Sequence, residues 1–200
     1  MVFGEKRGKD AMNTALLLID IQNDYFPGGK MVLEGSSEAI QKAKQVLSLF
    51  REKGLPLVHI QHLSARPGAS FFIPGTEGVE IHASVQPVAG EPVIRKHYPN
   101  SFRDTTLLEH LTSKNVAQVV IAGMMTHMCV DATTRAAFDH AFQCTVLHDA
   151  CATRTLSFEG DMVPARQVHA AFLAALGAVY AKVISTDDFI AGLGTRGEIE

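Results

Sequence analysis

Residues Ala15–Ile19 form an unbroken apolar run that stops on Asp20. A strand with one face in water alternates apolar and polar residues, whereas an unbroken short run suits a strand buried on both faces, as in a parallel sheet. Such a sheet needs helices over each face, and the remaining sequence supplies them. Ser36 or Ser37 is placed to cap a helix on which Ile40, Ala43, Leu47 and Phe50 recur at helical spacing, with Gly54 and Pro56 as its stop. Leu57–Gln61 reads as a second strand and Pro92–Lys96 as a short third. Asp104 or Thr105 then precedes a helix carrying Leu107, Leu108 and Leu111. Gln118–Ala122 is a fourth strand closed by Gly123, followed by a helix from about Cys129 to Phe142. Cys144–Leu147 reads as a fifth strand ending at His148 and Asp149. Pro164 opens a helix through Val168, Phe172, Leu173 and Leu176, with Gly177 as its end, and Val179–Ile184 is a sixth strand before a last helix capped by Thr186. This alternation predicts an α/β fold of three layers, αβα, around a parallel sheet.

A chain of 200 residues with 46% apolar residues suits one domain with a sizeable core, expected over residues 14–194. The first thirteen residues, with Glu5, Lys6, Arg7, Lys9 and Asp10, lack the apolar core of a signal peptide. They are expected to be a disordered extension, or the product of an early start ahead of Met12. A net charge of −3 without a basic block argues against nucleic acid or an anionic membrane surface as a partner. No apolar run approaches the ~20 residues of a membrane helix. Cys129, Cys144 and Cys151 are the only cysteines, an odd number without a CxxC pair, so a disulfide framework or zinc site is not expected and a reducing cytoplasm fits.

In sheets of this kind ligands bind at the carboxyl ends of the strands. Asp20 ends the first strand, Lys96 ends the third, and Cys129 opens the helix after the fourth. A thiol is a nucleophile as its thiolate, and unpaired N–H groups at a helix start would let Cys129 ionise more easily. Asp20 is placed to take the thiol proton and pass it to a leaving group, and the Lys96 ammonium to hold that carboxylate. Each residue alone has an ordinary explanation: a turn aspartate, a solvated lysine, a small core thiol. Three aligned strand ends are more specific than any one of them. The long Ser64–Gly90 stretch, rich in Gly and Pro, suits a functional loop or a disordered one, with Phe71–Gly78 at a pocket rim. Phe26 and Phe102 follow the reactive segments and are candidates to flank a small substrate. His127 is a candidate to contact substrate or a neighbouring subunit.

These segments resemble the isochorismatase-like cysteine hydrolases. Leu17-Leu18-Ile19-Asp20-Ile21-Gln22-Asn23-Asp24 is similar to that family's opening strand motif. Lys96 with Ser101-Phe102 is similar to its lysine segment, and Gly123-Met124-Met125-Thr126-His127-Met128-Cys129-Val130 to its nucleophile loop. Thr133, Arg135 and Asp149-Ala150-Cys151-Ala152 extend the likeness, which runs from about Ala15 to Phe189. The resemblance implies a six-stranded, Rossmann-like parallel sheet and homo-oligomers, as dimers or tetramers. It implies Cys129 as nucleophile, Asp20 as proton shuttle and Lys96 as its electrostatic partner. It further implies a cis Met124–Met125 peptide, with the N–H groups of Met125 and Cys129 as an oxyanion hole.

Metal-dependent nicotinamidases of this family carry an Asp-x-His near the end of the second strand. Here the segment reads Ile60-Gln61-His62, so no metal and no cofactor is expected. Relatives that cleave the vinyl ether of isochorismate generally lack the cysteine, so its presence favours hydrolysis of a C–N bond in a small amide, carbamoyl compound, urea or lactam. One alternative is vinyl-ether cleavage by acid catalysis from Asp20. Another is a non-catalytic α/β binding module, against which stands the absence of any GxGxxG or phosphate-loop pattern.

Overall fold

The computed structural model describes residues 13–194. The expected extension over residues 1–13 lies outside the described residues except for Asn13, whose carbonyl accepts the N–H groups of Ala117 and Gln118 at 2.8 and 3.1 Å. In chain order the elements are β1 (Thr14–Ile19), α1 (Ser36–Glu52), β2 (Leu57–His62), β3 (Val93–Lys96), α2 (Leu107–Ser113), β4 (Gln118–Met124), α3 (Asp131–Asp139), β5 (Gln143–Ala152), β6 (Leu156–Phe158), β7 (Asp161–Val163), α4 (Ala165–Val179), β8 (Lys182–Ile184) and α5 (Thr186–Gly194). Six strands form one parallel sheet in the order β3-β2-β1-β4-β5-β8. The α/β architecture with a central six-stranded parallel sheet flanked by helices is the one the alternation of elements predicts. Strand order reverses between β1 and β4, which places the crevice of a doubly wound sheet beyond their carboxyl ends.

β1 shows why its sequence is apolar throughout. Leu16 and Leu18 pack with Ala39, Ile40, Ala43, Leu47 and Phe50 of α1 on one face. Ala15, Leu17 and Ile19 pack on the other with Leu107 and Leu111 of α2, Ala137 of α3, and Leu173 and Leu176 of α4. The period-two alternation of a strand thus divides one apolar run between two cores.

Several boundaries differ from the sequence reading. α1 starts at Ser36 behind Gly35, which adopts φ 75°, and no serine side chain caps it: the Ser36 hydroxyl donates to the Leu33 carbonyl instead. The helix expected from Cys129 is an α-helix only from Asp131, and Thr126–Val130 forms a π-helical turn in which the Val130 N–H reaches the Met125 carbonyl at 3.2 Å. β5 continues to Ala152 through an irregularity against β4, where Ile121 pairs with Val146 but Gly123 with Cys151. His148 and Asp149 are therefore inside the strand, and the Asp149 carboxylate accepts both the N–H and the hydroxyl of Thr186, each at 2.8 Å, at the start of α5. Gly177 does not end α4. The helix runs on to Val179, and Gly177 lies against Val183 of β8. The β6–β7 hairpin turns on Glu159 and Gly160, both at positive φ as a tight primed turn requires.

Gly123 is the residue at which this arrangement has no tolerance. It adopts φ 137°, and a Cβ there would overlap the Ile19 carbonyl oxygen of β1. Gly123→Ala is expected to lower stability by more than about 2 kcal/mol, from backbone strain and overlap together. Urea unfolding measures this, and an unchanged midpoint would show that β1 and β4 can separate here without cost.

Candidate active site

Asp20 leaves β1 in the left-handed region, φ 50°, a conformation aspartate tolerates better than most residues. This turns its fully buried carboxylate toward the end of β3, where Lys96 is 1% exposed. The Lys96 ammonium donates to Asp20 Oδ2 at 2.7 Å, to His62 Nδ1 at 3.0 Å and to the Tyr98 carbonyl at 3.1 Å. An ammonium has three protons and no acceptor, so all three donors are used and His62 Nδ1 must carry a lone pair. The second carboxylate oxygen, Asp20 Oδ1, is buried without a hydrogen-bond partner. Ligand atoms of Asp20, His62 and Cys129 lie within 4.8 Å of one another. The structure thus brings Asp20, Lys96 and Cys129 into one buried cluster, and adds His62.

The electrostatics correct one expectation. Cys129 is the fourth residue of the π-helical turn rather than the opening of a regular helix, and it is 5% exposed. Burial first, and the Asp20 charge second, push its thiol well above the ordinary range, with Lys96 opposing them. The sulfur therefore rests protonated. Burial works against the charge of Lys96 too, but the nearby Asp20 and Cys129 outweigh it and raise its pKa. Burial, with Lys96 adding to it, lowers His62 to about 4, in keeping with a neutral ring that accepts from the ammonium. The thiols of Cys144 and Cys151 are both pushed up to about 12, chiefly by burial.

Among the described residues, Asp20, His62 and Cys129 are also the three whose ligand atoms could converge on a cation. The Lys96 ammonium already occupies that role, bonded to two of the three. A metal ion would have to displace a buried positive charge, so this donor set does not suit one.

Gln22 and Asp24 hold the surrounding loops. The Gln22 amide donates to the carbonyls of His62 and Val79 at 2.9 and 2.7 Å and accepts the His62 N–H at 2.7 Å. Asp24 accepts the N–H groups of Lys30 and Phe72 at 3.1 and 2.6 Å, and a Cβ on Gly78 would overlap its carboxylate. These bonds order the Ser64–Gly90 stretch, whose Phe72 is 1% exposed. On the other side, Ser101 and Thr133, both fully buried, join the lysine segment to α3 through a 2.8 Å hydroxyl pair.

Of the candidate substrate contacts, Phe26 lies against the His82 ring at 4.3 Å and lines a cavity of about 510 Å³ to which Cys129, Asp20 and Lys96 do not contribute. Phe102 packs on His140 and Phe142 at 5.1 and 6.1 Å, beside the amino end of β5, and is engaged in packing. The His127 ring bonds Thr153 and meets Phe172 edge-on at 5.9 Å. Met125 and Cys129 sit four residues apart across the π-helical turn, and the Met124–Met125 peptide is cis. The sequence reading did not place His62 or Gln22 at the cluster, although Gln22 stands inside the motif that marked Asp20.

The Isochorismatase domain model matches residues 14–188. The uncharacterized isochorismatase family protein YddQ of Bacillus subtilis is 54% identical, covering 90% of this chain and 99% of that protein. A crystal structure from Oleispira antarctica ascribed to an isochorismatase hydrolase superposes with a TM-score of 0.87 at 51% identity, covering 90% of this chain and 97% of that one. The maleamate amidohydrolase of Pseudomonas putida is 29% identical, over 76% of this chain and 78% of its own.

Two stability measurements test the cluster. Lys96→Met strands the Asp20 carboxylate without its partner and is expected to cost about 3–5 kcal/mol in urea unfolding, partly recovered by adding Asp20→Asn. No loss would mean that the pair is solvated. The second test uses pH. Folded His62 binds a proton only below about 4, against 6.5 for an unperturbed histidine. Between those values the unfolded chain binds more protons, so this contribution is complete above about 6.5 and is lost as pH falls toward 4, on the order of 3 kcal/mol in all. His62→Asn should flatten the stability slope over that window. Parallel slopes for variant and wild type would contradict it.

Proposed function

The chain belongs to the isochorismatase family, and we propose that it is a cysteine hydrolase cleaving a C–N bond of a small molecule through a thioester on Cys129. The observation that carries this reading is the single buried cluster of thiol, carboxylate and ammonium. Family members are hydrolases, and amidohydrolases are among them, maleamate amidohydrolase being one.

The reaction follows from the positions of the protons. Asp20 Oδ1, the oxygen not bonded to Lys96, takes the Cys129 proton as sulfur attacks the substrate carbonyl. The N–H groups of Met125 and Cys129 serve the oxyanion that develops. Asp20 then gives the proton to the leaving nitrogen, the C–N bond breaks and the acyl group stays on sulfur. Water enters and loses a proton to Asp20, its oxygen attacks the thioester, the C–S bond breaks, and the proton returns to sulfur as the acid departs. Lys96 keeps the carboxylate in register throughout and offsets the negative charge that moves between oxygen and sulfur. Amides, carbamoyl compounds, ureas and lactams all present the required carbonyl.

Cys129→Ala is expected to keep the fold and to lower kcat on such substrates by at least about a thousandfold. Intact-mass analysis of the wild type, mixed with a panel of small amides and ureas, should show an acyl increment on the Cys129 peptide. Turnover retained in Cys129→Ala but abolished in Asp20→Asn would establish acid catalysis by Asp20 in place of the thioester route.

A further inference from the structure

We propose that the outward-facing ring N–H of His62 donates a hydrogen bond to the substrate, selecting an amide whose acyl side carries a second, neutral acceptor. This contact rests on the cysteine-hydrolase reading and adds to it a feature of the substrate. His62 ends β2, paired in register with Lys96 at the end of β3. Its backbone is held by the Gln22 side chain, which accepts its N–H at 2.7 Å and donates to its carbonyl at 2.9 Å. Distances locate its ring in the cluster. Nδ1 lies 3.0 Å from Lys96 Nζ and 3.9 Å from Asp20 Oδ2, and a ring nitrogen lies within 4.8 Å of the Cys129 sulfur. Phe72 backs the ring, with centroids 5.9 Å apart.

Lys96 fixes the tautomer of that ring. The ammonium can only donate, so Nδ1 accepts with its lone pair and the one N–H of the neutral imidazole is on Nε2. The two nitrogens diverge, so Nε2–H points away from Lys96. It bonds no described residue, yet it is not among the buried polar atoms that lack a partner, which are Asp20 Oδ1, His59 Nδ1 and His110 Nε2. It is therefore open to the outside. The His62 side chain is 17% exposed, whereas those of Asp20 and Lys96 are 0%, so His62 marks the open side of the cluster. A carbonyl carbon about 3–3.5 Å from the sulfur leaves an acceptor one or two bonds farther on within reach of this N–H. That acceptor is neutral, a carbonyl oxygen for example. Asp20 already matches the charge of Lys96, and a carboxylate here would be a second buried anion facing one cation. Burial, with Lys96 adding to it, keeps the ring uncharged above about 4, so the donor brings no charge to offset another anion.

His62→Asn keeps an acceptor for Lys96, because the asparagine carbonyl stands near the place of Nδ1, and it removes the outward N–H. The readout is the rate of alkylation at the Cys129 peptide by iodoacetamide and by iodoethane. With both, sulfur forms an S–C bond, iodide leaves with the C–I electron pair, and the thiol proton passes to Asp20. Iodoacetamide carries a neutral carbonyl oxygen two bonds from the attacked carbon, and iodoethane carries no acceptor. The variant is expected to lose about three- to tenfold in the iodoacetamide rate, with the iodoethane rate within about twofold of wild type. Equal loss with both reagents would assign His62 to holding Lys96 alone, and no loss with either would leave the N–H without a role; each overturns the proposal. The wild type supplies a second measurement that does not depend on the folding of the variant. Proton–nitrogen correlation spectra at neutral pH should place the His62 ring proton on Nε2, and a proton on Nδ1 would equally overturn the proposal. Alkylation needs no thioester, so failure here is separate from any turnover retained by Cys129→Ala.

Discussion

The arrangement of the site depends on one ammonium buried with all three of its protons spoken for. Lys96 donates to a carboxylate at the end of β1, an imidazole at the end of β2 and a carbonyl just beyond its own strand, β3. An ion of this kind is destabilising in a protein interior unless its partners are complete, and here three neighbouring strand ends supply them. The pairing explains local features that are otherwise unrelated. Asp20 takes a left-handed conformation because its carboxylate must turn back toward β3. Gln22 grips both the N–H and the carbonyl of His62, which fixes the ring that accepts from Lys96. The long loop is ordered because its Val79 carbonyl is the next acceptor for that same glutamine.

Cys129, the proposed nucleophile, arrives from the other side of the switch point. β4 must lie against β1 closely enough that only glycine fits at position 123, and the chain then winds a π-helical turn rather than a regular one. The wider turn carries Cys129 toward Asp20 before the α-helix begins at Asp131. Ser101 and Thr133 fasten α3 to the segment following Lys96, so thiol and ammonium are held by a short polar bridge as well as by the sheet.

Much of this was legible in the sequence, and the limits have physical causes. The fold could be read because a parallel strand buried on both faces leaves an apolar run, and β1 has one. Asp20, Lys96 and Cys129 could be read because they stand at or just past the carboxyl ends of β1, β3 and β4, where side chains emerge at the ligand-binding edge. The end of β5 could not, because His148 and Asp149 look like a terminus when they are an irregular stretch of strand pairing onward to Ala152. The π-helical turn could not, since five or four residues per bonded ring share the same residue preferences. Phe26 is a candidate by its place after Asp20, and its ring lies against His82 beside a cavity that the cluster does not line. His62 looked like the remnant of an incomplete metal motif, and only its 3.0 Å contact with Lys96 shows an ammonium where a cation could otherwise sit.

A sulfur whose pKa is pushed up by burial looks unsuited to act as a nucleophile, and the resolution lies in counting charge. That upward push describes the loss of a proton to solvent, which would leave a second anion in a site that holds one carboxylate and one ammonium. In the proposed reaction the proton goes no farther than Asp20. The cluster carries the same net charge before and after, with the negative charge moved from oxygen to sulfur beneath an ammonium that attracts both. Burial penalises the two arrangements similarly, so it governs their difference only weakly. What it does govern is escape: in the proposed reaction burial gives a free thiolate little solvation, which favours keeping the proton within the cluster until a carbonyl is present.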